Sequence, residues 1–387
     1  MNIGFIINFS KNDWLGGYNY YLHLIESLEK FSDREIKPII IFDKKKRVFE
    51  NKEFKKYSYK ICSYFSNSNK YLRIFNKLLI IIFGKSFLYE KFLKENNINI
   101  VSHSFYVGKN SYAKSFPWFP DFQEYFFPNN FNKKSIFLRK LNLFLATHHS
   151  EKILVSSKST LNDLQKISNF SFKKAQILFH TNKLLPSNKI LSEKRIRKKY
   201  NIKKNFFLLP NHYWVHKNHS VVLKAINSIN KKNFQIISTG KKLDHRDPKY
   251  FKNFTNSIKR KKLQPHYRIL GIVPESDLYS LMSYSLGIIN PSKFEGWGNS
   301  AAKAISLEKP AILSNIGPHK ELKNNSFSKD NKKKLFFFNP NDYLKLARIL
   351  KILSKKKNNK KNYRKLLVKN EEHTKTFIKN YLKIINT

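Results

Sequence analysis

The sequence predicts an α/β protein of two domains, each built on a doubly wound parallel sheet, and three observations predict it. Short apolar runs alternate with helix-spaced segments along most of the chain, which is the signature of βαβ units. The alternation weakens at Pro186-Ser187-Asn188 and then restarts, so the series is doubled. The 387 residues, 41% of them hydrophobic and 15% aromatic, supply enough core for two domains and exclude disorder over the whole length.

The elements follow in order. Ile3–Asn8 reads as a buried strand, then a loop with Gly16-Gly17 and an aromatic-rich helix over Tyr18–Lys30. Pro38–Phe42 is a second strand, bounded by Lys44–Lys46, and Lys70–Glu95 has the spacing of one or two amphipathic helices. Asn99–His103 and Lys152–Val155 are further strands, after which Ser156-Ser157 stands where a helix N-cap belongs. The second series has strands at Phe206–Leu209, Phe234–Ser238, Arg268–Leu270, Gly287–Asn290 and Ala311–Ser314, with a helix over Ser220–Ile229. The last 50 residues are Lys-rich and helical in pattern, with a low-complexity patch KKKNNKKN. The expected domains are 1–188 and 189–370, with 371–387 a C-terminal helix free to pack back on the first domain. Domains of this kind bind ligands outside the carboxyl ends of their strands, here in a cleft between the two.

Composition narrows the class. The single cysteine, Cys62, cannot form an internal disulfide, which points to a reducing compartment. The run MNIGFIINFS lacks the basic start and cleavage site of a secretory signal, and the longest apolar run, Leu78–Phe83, is far below the roughly 18 residues of a membrane span. A cytoplasmic location is expected. The formal charge of +49 has two readings: a partner that is anionic lipid or nucleic acid, or the Lys, Asn, Ile and Phe that an AT-rich genome over-supplies. Lysines in scattered pairs and triplets, seldom interleaved with Arg, favour the second, and nucleic acid is not expected as a partner. Residues 269–322 escape the drift, with four Lys against five acidic residues, a net of −1.

Eleven glycines are few for this length, against a usual share of about 7%. Gly16-Gly17 opens the first helix, a place where free N–H groups suit a phosphate, although a plain βα loop explains it equally. Gly296 and Gly298 lie in Pro291-Ser292-Lys293-Phe294-Glu295-Gly296-Trp297-Gly298-Asn299-Ser300, between a strand and a helix. Asn299 or Ser300 is able to cap that helix, whose positive end suits phosphate oxygens, while the lone carboxylate Glu295 suits sugar hydroxyls. After the first strand of the second series comes Pro210-Asn211-His212-Tyr213-Trp214-Val215-His216-Lys217-Asn218-His219, which places the cation Lys217 where it would neutralise a diphosphate. The spacing of His212, His216 and His219 matches no common zinc pattern, so no metal is expected.

With these pieces in order, the chain resembles bacterial glycosyltransferases of the GT-B fold, in the retaining, nucleotide-sugar-dependent group 1 (family 4) class. The resemblance rests on Asp13-Trp14-Leu15-Gly16-Gly17 with Asn19-Tyr20, on Pro117 to Gln123, on Val155-Ser156-Ser157 with Asp163-Leu164, and on Leu209 to His219. It continues through Ser238-Thr239-Gly240, Leu270-Gly271, Pro291 to Gly298, and Ser314-Asn315-Ile316 with Pro318-His319 and Glu321. It implies two Rossmann-like domains facing a cleft and a nucleotide-diphosphate sugar held mainly by the C-terminal one, with no cofactor or metal. Donor contacts would come from Gly16, Gly17, His212, Lys217, Ile272, Val273, Glu295, Gly296, Trp297, Gly298, Asn299, Ser300 and Lys303, with Glu295 and Lys217 as the catalytic pair. Asp121, Gln123 and Glu124 would lie on the acceptor side, the acceptor being a glycan or lipid-linked glycan in cell-surface polysaccharide synthesis, and the enzyme peripheral on the anionic inner membrane face.

Two departures qualify what is implied. The family's second glutamate, eight positions after the first, is Lys303 here, and a lysine has only donors where ribose hydroxyls call for an acceptor. Either Lys303 meets a phosphate, or the donor is held differently, or activity is reduced. Glu124 stands where the family usually has His, and the cation usual five or six residues before Lys217 is replaced by Asn211 and His212. The competing reading is a catalytically degenerate GT-B protein acting as a binding or scaffold protein at an anionic membrane surface or nucleic acid.

Overall fold

In the computed structural model the described residues are 1–33, 35–42, 45–62, 70–103, 106–244, 246–324, 333–356 and 363–386. Residues 357–362 of the KKKNNKKN patch and Lys44 lie outside them. The chain divides into two compact units, Met1–Thr181 with Glu372–Thr387, and Asn182–Glu371.

The first unit carries seven parallel strands: β1 (Asn2–Ile7), β2 (Lys37–Phe42), β3 (Tyr59–Ile61), β4 (Ile98–His103), β5 (Lys114–Phe119), β6 (Ile153–Val155) and β7 (Ala175–Ile177). Their spatial order is β3-β2-β1-β4-β5-β6-β7. β1 and β2 are nearly continuous runs of Ile and Phe because helices cover both faces of such a sheet, leaving no solvated side for polar residues. Phe377, Ile378, Tyr381 and Ile385, from the helix Tyr363–Ile385, complete this unit's core beside β1 and the helix Leu15–Phe31.

The second unit has six parallel strands: β8 (Asn205–Pro210), β9 (Phe234–Thr239), β10 (Tyr267–Gly271), β11 (Ile288–Asn290), β12 (Ala311–Ser314) and β13 (Leu335–Phe338), in the order β10-β9-β8-β11-β12-β13. Counted within the unit, that is 3-2-1-4-5-6, the doubly wound order of dinucleotide-binding sheets. Its sheet is packed on one face by Phe207, Leu209, Ile236 and Ile289 and on the other by Phe206, Leu208, Ile237 and Ile288, the alternation that a strand's period of two dictates.

Gly16 and Gly17 are not in a loop, as expected, but in the first turn of the helix Leu15–Phe31. A Cβ on Gly17 would lie only 2.2 to 2.4 Å from Trp14 ring carbons, and that indole is stacked on Trp118 at 5.7 Å. Glycine is therefore needed here to admit an aromatic ring. In an exposed helix Gly→Ala is stabilising by about 1 kcal/mol; at this position overpacking reverses the sign, and Gly17→Ala is expected to destabilise by about 1–3 kcal/mol in urea unfolding.

Candidate active site

β8 and β11 are neighbours, and the chain runs outward in opposite directions from them, so their carboxyl ends form the switch point of the second sheet. Two loops leave that point, 211–218 after β8 and 291–298 after β11, and hydrogen bonds lace them together. The backbone N–H of Lys293 donates to the His216 carbonyl (2.8 Å). The Asn218 amide donates to the carbonyls of Pro291 (3.1 Å) and Pro340 (2.8 Å) from a left-handed backbone, φ 55°, that asparagine tolerates well. Asn211 donates to Asn290 (3.1 Å), Asn290 to the Ser300 hydroxyl (2.9 Å), and Ser300 back to Asn211 (3.1 Å).

This frame holds Lys217 against Glu295, with Nζ 2.7 Å from Oε1 and both side chains largely buried. Oε1 also accepts from the Ser292 hydroxyl (2.7 Å) and the Asn290 amide (3.4 Å). Burial alone would raise the Glu295 pKa, but the Lys217 charge, then His319 and the donated hydrogen bonds, outweigh it and bring the group down to about 2. Glu295 is thus a fixed anion, and all its hydrogen bonds fall on one oxygen, leaving Oε2 as an acceptor.

The helix Asn299–Ser306 begins beside this pair. Neither Asn299 nor Ser300 caps it, contrary to expectation: the N-cap is Gly298, with φ +92° and no side chain to occupy the first N–H groups. Ser300 instead spends its hydroxyl on the Asn211–Asn290 triangle, and Asn299 is exposed. A Cβ at residue 298 would come within 3.0–3.1 Å of the His319 ring, so glycine serves both the backbone angle and the approach. His319 is fully buried, and its Nδ1 faces the Ser314 carbonyl (2.9 Å), which can only accept. Nδ1 must then carry the proton, which leaves Nε2 as a buried acceptor without a hydrogen-bond partner. An open helix N-terminus, a lysine, a carboxylate oxygen and an imidazole nitrogen therefore converge at one strand switch point.

The remaining predicted residues lie as follows. Gly296 is half-buried in the loop, and Trp297 is buried in the hydrophobic core with Ala301 and Ile305. Ile272 is exposed and Val273 half-buried just beyond β10. Lys303 is engaged by another helix: its ammonium lies 3.7 Å from Glu275 and 4.8 Å from the Tyr279 ring centre. His212, His216 and His219 are engaged separately. His212 accepts from the Lys241 N–H (2.8 Å), His219 stacks on Tyr213 and bonds Tyr267 and the His212 carbonyl, and His216 lies beside Arg246. Among the described residues no group of three or more His, Cys, Asp or Glu comes together to hold a metal ion.

In the first unit Asp121 accepts from the Gln123 N–H (3.2 Å), and Glu124 is buried, its pKa raised by burial against the opposing pull of Arg139 at 3.5 Å. Sequence reasoning missed several residues. Ser292, Asn290 and Asn211 support the Glu295 carboxylate, but small polar residues carry no spacing signal. Arg246 supplies a cation near His216 and Trp214 from a loop remote in sequence. His103, buried at the carboxyl end of β4 with φ 71°, joins Tyr20 (2.9 Å) and Ser102 (2.7 Å) at the first sheet's own switch point.

Solved structures share this fold along the full length. A glycosyltransferase from Rickettsia africae is 18% identical, with TM-score 0.63, over 99% of this chain and 95% of that one. HepE of Anabaena, in complex with UDP-glucose, is 14% identical, with TM-score 0.67, over 100% and 98%. Sucrose-phosphate synthase from Thermosynechococcus elongatus is 11% identical, with TM-score 0.62, over 99% and 96%. The class is thus a two-domain α/β protein of the GT-B-like fold. Residues 192–373, nearly all of the second unit, match the family of glycosyl transferases group 1. No curated protein matches the chain in sequence.

Burial fixes how the site responds to pH. Desolvation, with the Lys217 charge behind it, holds His212 to a pKa of about 4 and His219 to about 3. Both are neutral in the folded and unfolded chain above pH 6.5. Below it the unfolded chain takes up protons that the folded chain refuses, so stability falls with pH. Each histidine is expected to cost about 2 kcal/mol between pH 7.5 and 5. His219→Phe, which keeps the ring on Tyr213, should make the pH-dependent loss in urea unfolding smaller by that amount.

Proposed function

We propose that this protein is a retaining glycosyltransferase that moves a sugar from a nucleotide diphosphate to a glycan or lipid-linked glycan of the cell surface. The observation that carries the reading is the Lys217–Glu295 pair beside the uncapped N-terminus of Asn299–Ser306. The group 1 match over the same residues supports it. Diphosphate oxygens suit the N–H groups after Gly298, where the helix's positive pole adds about 0.3–1 kcal/mol of attraction. Lys217 neutralises the charge that grows on the diphosphate as the bond to the anomeric carbon breaks. Glu295 Oε2 and His319 Nε2 are acceptors for hydroxyls of the sugar. The acceptor oxygen bonds to the same face of that carbon and its proton leaves with the diphosphate, a course that needs no metal or other cofactor. Glu124, with Asp121 and Gln123, is assigned to the acceptor side.

The decisive experiment incubates the protein with UDP-, GDP- and TDP-sugars and an oligosaccharide acceptor. One donor is expected to raise the melting temperature and turn over with retained anomeric configuration in the presence of EDTA. Lys217→Ala should lower kcat by about 10²–10³, and Glu295→Gln should weaken discrimination between sugars with the same nucleotide. Failure of every donor to bind or turn over, with variants indistinguishable from the parent, would defeat the proposal.

The placement of Lys303 on Glu275 favours a structural role over a phosphate contact, and it sharpens the alternative of a degenerate scaffold. Lys303→Glu would set two carboxylates together and is expected to lower stability and donor affinity alike. A gain in donor affinity would instead identify a decayed site.

A further inference from the structure

The helix Lys70–Phe83 of the first unit is turned inside out. Its inward face carries Asn76, buried and bonded to Ser86 at 2.5 Å, and Ile80. Its outward face repeats apolar residues at helical spacing: Tyr71 (82% exposed), Phe75 (52%), Leu78 (49%) and Ile82 (68%). The helix Lys133–His149, packed against it, does the same with Phe137 (64% exposed), Leu141 and Phe144 (57%). A soluble surface rarely groups so many exposed apolar side chains on adjoining helices. These two helices also hold seven Lys or Arg and no Asp or Glu, with Lys133, Lys134 and Lys140 exposed. A protein partner would need no such complete absence of acids. Exposed aromatic and aliphatic side chains on helices whose only charged residues are cations match the headgroup boundary of an anionic bilayer, where such helices lie in the plane at a depth of about 5–10 Å. No described helix is long and apolar enough to cross a membrane, so insertion in the plane is the geometry available to it.

We infer that the exposed faces of Lys70–Phe83 and Lys133–His149 form one docking surface for an anionic lipid bilayer. The surface extends the reading of a lipid-linked acceptor but stands on its own exposure and charge. Co-sedimentation of the full chain with vesicles of phosphatidylcholine, and of phosphatidylcholine mixed with phosphatidylglycerol, tests it. The parent is expected to sediment with the mixed vesicles and only weakly with the neutral ones, and high salt should reduce the binding. Phe75→Asp with Ile82→Asp, and separately Phe137→Asp with Phe144→Asp, should each weaken binding about tenfold or more, with unchanged melting temperature and unchanged thermal shift by nucleotide. Three results would overturn the inference. These are no sedimentation of the parent, equal binding by both variants and parent, or loss of a dimer in the variants with vesicle binding intact. The nucleotide shift is read separately, so a failed donor site and a failed lipid surface give different results.

Discussion

A buried carboxylate beside a buried lysine organises the second unit. Removing Glu295 from water costs several kcal/mol unless its charge is met, and the structure meets it with Lys217, Ser292 and Asn290 on a single oxygen. Those partners come from two loops that leave adjacent strands, so the ion pair forms only when β8 and β11 are in register and both loops have folded. The left-handed turn at Asn218, the asparagine–serine triangle and the bare N-cap at Gly298 all serve to bring these groups to one point. The same arrangement leaves acceptors and donors pointing to one place without partners of their own. A carboxylate oxygen, an imidazole nitrogen and helix N–H groups in that state are the groups to which the proposed function assigns the hydroxyls and phosphates of the donor.

Much of the architecture was legible because parallel sheets are buried on both faces. Runs such as Ile39-Ile40-Ile41-Phe42 and Phe206-Phe207-Leu208-Leu209 have few alternatives to a strand, and Ser157 caps its helix through the Thr160 N–H as its position suggests. Lys114–Phe119 went unread as a strand because Pro117 breaks the pattern, and Tyr59–Ile61 because an edge strand of three exposed residues has no apolar signal. The helix Lys133–His149 was missed for a related reason: its apolar residues face outward and its charges are interspersed, so the periodicity describes no core face. Around the site, Glu295 and Lys217 stood out by position after a strand. Their supporting network did not, since Asn and Ser act through distance and angle that only the fold supplies.

The charge of the chain now separates into parts. The surplus lysines lie in scattered pairs and triplets along the chain, whereas residues 269–322 carry a net charge of −1. Lys303 is the clearest case of a lysine that means something other than its sequence position implied. It is tied to Glu275 and Tyr279. The glycines divide in the same way. Gly298 keeps a helix terminus open, while Gly17 makes room for the Trp14 ring.

The central claim is that Lys217, Glu295 and the residues after Gly298 hold a nucleotide diphosphate. A crystal structure with bound UDP, GDP or TDP tests it most directly. The account predicts diphosphate oxygens within hydrogen-bonding distance of the Asn299 and Ser300 N–H groups and of Lys217 Nζ. A nucleotide seated elsewhere, with the Lys217–Glu295 pair and the helix start untouched, would contradict it.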